Sequence, residues 1–260
     1  KKVSIGPVIN DWAPSVMSDV DNELVFRRGT ITVRGEFLWG SNYTFLATVS
    51  YEGQTLSAVY KPVRGERPLW DFPAGTLAKR EVAAYLVSEI LGWGLVPLTV
   101  FRRSGPLGAG SLQRFVDHNP DYHYFNFSTE DRQRLRPVML FDMLINNADR
   151  KGSHILLDND RNLWLIDHGV SFHVDYKLRT VVWDFIDEPI PENLVKDLRR
   201  LVELLHPVSQ APVSKYVKEL YQRLSLPEIK ALRLRALRLV EGERFPAPRM
   251  GYRPYPWPQI

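Results

Sequence analysis

The sequence contains no cysteine. That excludes a disulfide framework, thiolate metal sites and cysteine nucleophiles, and it suits a reducing compartment. No uninterrupted apolar run is long enough to cross a bilayer, and the opening KKVSIGPVIN holds no signal-peptide core. The expectation is a cytoplasmic protein without a transmembrane segment. Neither sign of charge dominates: 34 Lys and Arg stand against 30 Asp and Glu, a formal net charge of +4. The slight basic excess raises nucleic acid as a partner. However, KREVAAYLVSE, TEDRQRLR and VKDLRRLVE interleave bases with acids, as solvated helix faces do, so no nucleic acid is expected. The one basic cluster, Lys230, Arg233, Arg235 and Arg238, is threaded with leucines and reads as a packed helix. Peripheral contact with an anionic membrane is its alternative reading. HExxH, GxSxG and Walker A patterns are missing too, which argues against a zinc hydrolase, a nucleophile elbow and a P-loop.

What is present is ordinary for a globular protein: 44% apolar and 25% charged residues in a chain of 260. That length supports one large domain or two lobes. Residues 31–63 alternate β-branched and aromatic residues, broken by WGSN and EGQ, which predicts three antiparallel strands. From Thr76 the spacing of Leu77, Val82, Leu86 and Ile90 predicts a helix, stopped by Gly92 or Gly94. LVPLTVFRR and GAGSLQRFVDH read as two further strands around a Gly-rich turn. Beyond residue 118 the character changes. Ser128 and Asp131 stand at capping-box spacing before an apolar helix that Pro137 kinks or splits. HILLDNDRNLWLID reads as a hairpin turning at Asp158 to Arg161, and helical periodicity returns from about 191 to 240. The proline- and aromatic-rich end, 246–260, is expected to lie extended over the body.

Within that order stand a few polar residues in chemically suggestive places. Lys61 ends the third strand in AVYKP, and Glu81 lies in the following helix. Asp149 follows the apolar helix in NNADR, and Asp167 follows the hairpin in LIDHG. Taken singly, a strand-end lysine is usually solvated, a helix glutamate is usually a surface residue, and both aspartates fit turns. Taken together, cation, helix acid, acid, hairpin and acid follow the order used by enzymes that transfer a phosphoryl group from ATP. There a lysine neutralises phosphate, one carboxylate orients the acceptor hydroxyl and another holds a divalent metal. His168 and His173 flank Asp167 without any paired metal-ligand spacing.

NNADRKGSH followed by LIDHGVSFH resembles the catalytic and metal-binding motifs of the phosphatidylinositol 3-/4-kinase-like superfamily. The branch indicated is that of the type II phosphatidylinositol 4-kinases and HipA-like toxin kinases. WDFPAGTLAKREVAAY and LRTVVWDF further resemble an actinobacterial phosphatidylinositol kinase-related family. The motif match spans roughly residues 35 to 185. The resemblance implies an α+β, two-lobed protein-kinase-like fold: one domain over 1–260, with an N-lobe at 25–112, a connector at 113–118, a C-lobe at 119–245 and a tail at 246–260. It implies Lys61 as the phosphate-binding lysine with Glu81 as its partner, Asp149 as catalytic acid/base and Asp167 as the main metal ligand. SLQRFV would supply backbone for adenine at Gln113, Arg114, Phe115 and Val116, and GSNYTF a phosphate loop at Gly40, Ser41 and Asn42. ATP and Mg²⁺ or Mn²⁺ are the implied cofactors. Where the family pattern carries an asparagine as second metal ligand, this chain has His154. Three roles stay open for it: a ligand favouring Mn²⁺, a non-ligand that holds the loop, or the mark of weakened catalysis. The expected activity is phosphotransfer to an acceptor that is a protein, a small molecule or a phosphoinositide. A nucleotide-binding pseudokinase and an AMP-transferring enzyme on the same fold are the alternatives.

Overall fold

The structure is a computed structural model and describes residues 19–37, 43–207 and 214–260. Its first half is built on an antiparallel sheet of β1 (Thr30–Phe37), β2 (Thr44–Tyr51), β3 (Gln54–Pro62), β4 (Thr99–Arg102) and β5 (Gly110–Arg114), in the order β1-β2-β3-β5-β4. The β2–β3 turn has two residues, Glu52 and Gly53, both at positive φ (47° and 84°), the backbone that matches the twist of a tight hairpin. Alternation along β3 buries Ala58 and Tyr60 and leaves Val59 and Lys61 on the opposite face. The buried set packs with Val25 and Phe26 of α1 (Asp19–Arg28), Ile31, Val49, Val100 and Leu112 into a small core of its own. The sequence reading had no counterpart for α1, whose segment is largely polar.

Helix α2 (Leu77–Leu91) starts after Thr76 and ends at Gly92, whose left-handed φ of 74° lets the last carbonyls bond to the backbone beyond. It is apolar on most of its circumference and correspondingly buried, touching β4 and β5 on one side and α5 and α6 on the other. Its Val82, Leu86 and Ile90 therefore belong to the main core of the second half. Lys61 and Glu81 thus sit on elements held by different cores.

The second half is helical: α3 (Thr129–Gln133), α4 (Arg136–Ile145), α5 (Glu192–Leu204), α6 (Lys215–Arg223) and α7 (Leu226–Gly242), with one hairpin of β6 (Ile155–Leu157) and β7 (Leu163–Leu165). Ser128 Oγ caps α3 by accepting the Asp131 amide at 3.2 Å. Pro137 splits the predicted helix: α3 stops at Gln133 and α4 begins with the proline in its first turn, where no N–H is missed. The tail crosses the body as expected, Pro254 O accepting Thr180 N–H at 3.0 Å and Gln259 O accepting Gly152 N–H at 2.7 Å. A five-stranded sheet with one main helix, joined by the strand β5 to a helical half that carries a hairpin, is the two-lobed, protein-kinase-like α+β fold. No helix among the described residues is long and apolar enough to cross a membrane.

Candidate active site

A cleft of about 520 Å³ separates the two halves, with Lys61, Glu81, Asp149, His154 and Asp167 all in its wall. These residues are far apart in sequence, and folding brings them together. Lys61 Nζ donates to Glu81 Oε1 and, at 3.0 Å, to Asp167 Oδ1. Glu81 Oε2 also accepts the His168 backbone N–H at 2.9 Å, so the helix acid grips both the strand lysine and the turn that carries Asp167. Asp167 itself adopts a left-handed φ of 61°, a conformation uncommon outside glycine that here turns the chain sharply after β7.

The charges follow from this geometry. Burial works against the Lys61 ammonium, but Asp167 and Glu81 outweigh it and its pKa is raised. Lys61 in turn holds Asp167 well below the usual carboxylate range, and Asp167 remains 48% exposed towards the cleft. Burial pushes Glu81 up, while Lys61 and the His168 amide pull it back. Asp149 is different: burial, with Asp167 adding to it, pushes its carboxyl up to about 6 against the opposing pull of Lys151, 3.5 Å away. A carboxylate of that basicity accepts a proton more readily than an ordinary surface aspartate.

His154 Nε2 lies 3.4 Å from Asp167 Oδ2, and its Nδ1 accepts the Lys151 N–H at 3.4 Å. Burial brings the ring down to about 4, so it is neutral near pH 7. With Nδ1 accepting, the neutral ring carries its proton on Nε2, the nitrogen on the Asp167 side. His168 is buried against Arg150 and does not face the cleft, and His173 packs its ring edge-on to Phe72.

The turn that presents Asp149 rests on residues the sequence reading passed over. Asp142, in the apolar run of α4, is fully buried with Arg150, bonded to its Nε at 3.0 and 3.1 Å and to Thr180 Oγ1 at 2.9 Å. Arg150 then donates to Ile166 O at 2.7 Å, His154 O at 3.3 Å and His168 Nε2 at 2.8 Å. One guanidinium therefore ties the Asp149 loop to the strand that delivers Asp167. A lone acid inside LFDMLI was the available signal, because a carboxylate on an apolar helix needs a buried partner. The segment after Asp167 is ordered against this loop: Arg150 and Thr180 form a parallel bridge, and Ala148 N–H donates to Val170 O at 3.0 Å.

Val59 from β3, Leu156 from β6 and Ile166 give the cleft apolar walls from both lobes, a fit for a planar base beside a charged inner end. Gln113 and Arg114 lie within β5, and the Arg114 and Phe115 amides donate to Leu98 O and Ser57 O. Among the described residues no group of three or more His, Asp and Glu side chains could hold a metal unaided. A cation at Asp167 would complete its shell with phosphate oxygens and water, as Mg²⁺ commonly does. Gly40, Ser41 and Asn42 lie outside the described residues.

No family model matches the chain. Protein Rv2133c of Mycobacterium tuberculosis (strain ATCC 25618 / H37Rv) is 40% identical to it over 274 residues, covering 92% of this chain and 95% of that protein. The chain belongs to the Rv2133c family. The Rv2133c family member described here also resembles a rice protein (Oryza sativa subsp. japonica) named phosphatidylinositol 4-kinase gamma 4, 26% identical over 217 residues. That match takes in 70% of this chain but only 37% of the rice protein. Solved structures of the Golgi casein kinase, one with Mn and ADP bound, superpose with a TM-score of 0.48 at 14% and 16% identity, covering 86% of this chain and 76% of theirs.

Proposed function

We propose that this Rv2133c family member is an ATP- and divalent-metal-dependent phosphotransferase. The observation that carries the reading is the double engagement of Lys61 by Glu81 and by Asp167, across 106 residues of sequence, in a cleft that also holds Asp149. A strand lysine fixed between two carboxylates is poised to exchange one of them for phosphate oxygens. The weak similarity to a protein named as a phosphatidylinositol 4-kinase supports the same chemistry and the kinase-like superfamily, with the type II and HipA-like branch as the finer proposal.

In this reading Lys61, steadied by Glu81, binds the phosphates, and Asp167 holds the metal. A bound divalent cation would neutralise triphosphate charge. Asp149 orients the acceptor hydroxyl and takes its proton as the new O–P bond forms and the bond to the ADP leaving oxygen breaks. Val59, Leu156 and Ile166 sandwich the base, whose edge meets the backbone from Gln113 to Val116. His154, 3.4 Å from Asp167, acts as a positioning group beside it. The acceptor is a hydroxyl on a protein, a small molecule or a phosphoinositide.

The deciding experiment is calorimetric titration of ATP with Mg²⁺ and then Mn²⁺, beside Asp167→Asn. Metal-dependent binding lost in the variant is expected, and equal binding by the variant would sink the assignment. Mg²⁺ and Mn²⁺ are expected to support wild-type binding similarly. A tenfold Mn²⁺ preference that disappears in His154→Asn would instead make the ring nitrogen a ligand. His154 standing where the family pattern has asparagine also favours a second reading, a nucleotide-binding pseudokinase. Binding without release of label from either the γ- or the α-phosphate would select it, and α-label on a target would select AMP transfer.

A further inference from the structure

A second cavity, of about 370 Å³, opens between α7, the end of α4, residues 174–178 and the start of the C-terminal stretch. Its body is apolar, with Met143, Leu178, Trp183 and Leu239 in the lining. Four arginines stand around it, Arg235, Arg238, Arg244 and Arg249, and no Asp or Glu among the described residues lines it. None of the four has a carboxylate partner among the described residues. Arg235 donates to Leu144 O at 2.7 Å and His173 O at 3.2 Å, while its buried Nη2 has no partner. Arg244 donates to Asp187 O, Arg249 lies over the Tyr176 ring at 4.2 Å, and among the described residues the Arg238 side chain makes no hydrogen bond or ion pair. Elsewhere the chain compensates such groups: Arg27, Arg80, Arg136 and Arg150 each meet a carboxylate. Burial and the neighbouring Arg238 bring Arg235 down to about 10, as a locally positive field would.

A half-open apolar cavity rimmed by guanidiniums without carboxylate partners selects its occupant by two properties at once. Inorganic anions gain nothing from the lining, and neutral apolar molecules leave the cations unpaired. We propose that this cavity binds an amphiphilic anion, its apolar body among Met143, Leu178, Trp183 and Leu239 and its phosphate or carboxylate on Arg238 and Arg249. The site stands apart from the cleft and does not depend on the phosphotransferase reading. It still touches the same framework: Asn146 lines the cavity, and its side chain donates to His173 O at 2.9 Å and Asp175 O at 2.7 Å just before the Asp149 turn.

The test is calorimetric titration of the full chain with octyl phosphate, octanoate, octanol and inorganic phosphate, beside vesicles of phosphatidylcholine with and without phosphatidic acid. Octyl phosphate is expected to bind saturably at one site. Arg238→Glu and Arg249→Glu should each weaken it at least tenfold with little change in melting temperature, because both side chains are exposed and Arg249 gives up only a surface contact with the Tyr176 ring. Octanol or inorganic phosphate binding as tightly as octyl phosphate would overturn the proposal, as would full binding by both variants or no binding of any soluble probe. Vesicle binding without octyl phosphate binding would overturn it too, in favour of a surface contact. Where octyl phosphate binds as expected, phosphatidic acid vesicles that also bind, and lose binding in the variants, identify a bilayer lipid as the source. Vesicles that fail to bind identify a free amphiphile.

Discussion

Asp149 has measurable consequences at the scale of a single residue. Its carboxyl is held up to about 6 by burial, while an unfolded chain leaves it near the ordinary value of about 3.9. If Asp149 takes the acceptor proton, kcat/KM should fall as the pH drops through about 6, and a profile flat from 5 to 8 would remove it from that role. Linkage gives a second reading of the same residue. Between the two pKa values the native state binds more protons than the unfolded one, so stability declines as pH rises through that window, and the penalty is complete above it. Asp149→Asn should therefore raise the melting temperature at pH 7.5 and leave it nearly unchanged at pH 3.5. With the side chain 34% exposed, solvent screening limits the gain to ~1 kcal/mol. Differential scanning calorimetry at the two pH values checks this without any substrate.

Elements, in turn, depend on how they are tied to one another. The Arg150 guanidinium joins α4, the Asp149 loop and the strand leading to Asp167, all out of solvent. Arg150→Met strands the Asp142 carboxylate, and breaking a buried pair from one side costs about 3–5 kcal/mol. Adding Asp142→Leu should restore part of that loss, a non-additivity that a double-mutant cycle in urea would read directly. In the sheet, a Cβ at Gly110 would run into the backbone of Lys61 and Pro62. Gly110→Ala should accordingly displace the strand end and weaken nucleotide binding more than it lowers the melting temperature. An unchanged ATP affinity would show that Lys61 tolerates the shift.

For the whole molecule, the last residues act as a strap across the helical half. Pro254 O accepts both Thr180 N–H and, at 3.3 Å, Trp183 Nε1, and Gln259 O accepts the amide of Gly152 in the loop between Asp149 and His154. Truncation after Ala247 removes both acceptors and all three hydrogen bonds. The expected result is a lower melting temperature and faster hydrogen exchange at residues 178–183, with α2 and the five-stranded sheet retaining their protection. Uniform loss of protection would mean that the strap is needed for the global fold.

By itself the sequence determined the elements whose signals are local. Alternation in β1 to β3, the spacing from Leu77 to Ile90, the Ser128 cap and the turn residues between β6 and β7 each report a periodicity or a backbone preference that needs no distant partner. Order along the chain also made Lys61, Glu81, Asp149 and Asp167 legible as a set. Only the tertiary structure decided that Lys61 reaches Asp167 as well as Glu81, that His154 stands beside Asp167, and that Arg150 ties the two loops together. These are contacts between segments many residues apart, and neither composition nor spacing records which partner a buried charge meets. The basic cluster of α7 shows the same division. Its leucines announced a packed helix, yet that Arg235 turns inward to backbone carbonyls while Arg238 stays uncompensated beside a cavity depends on what the fold sets against each face.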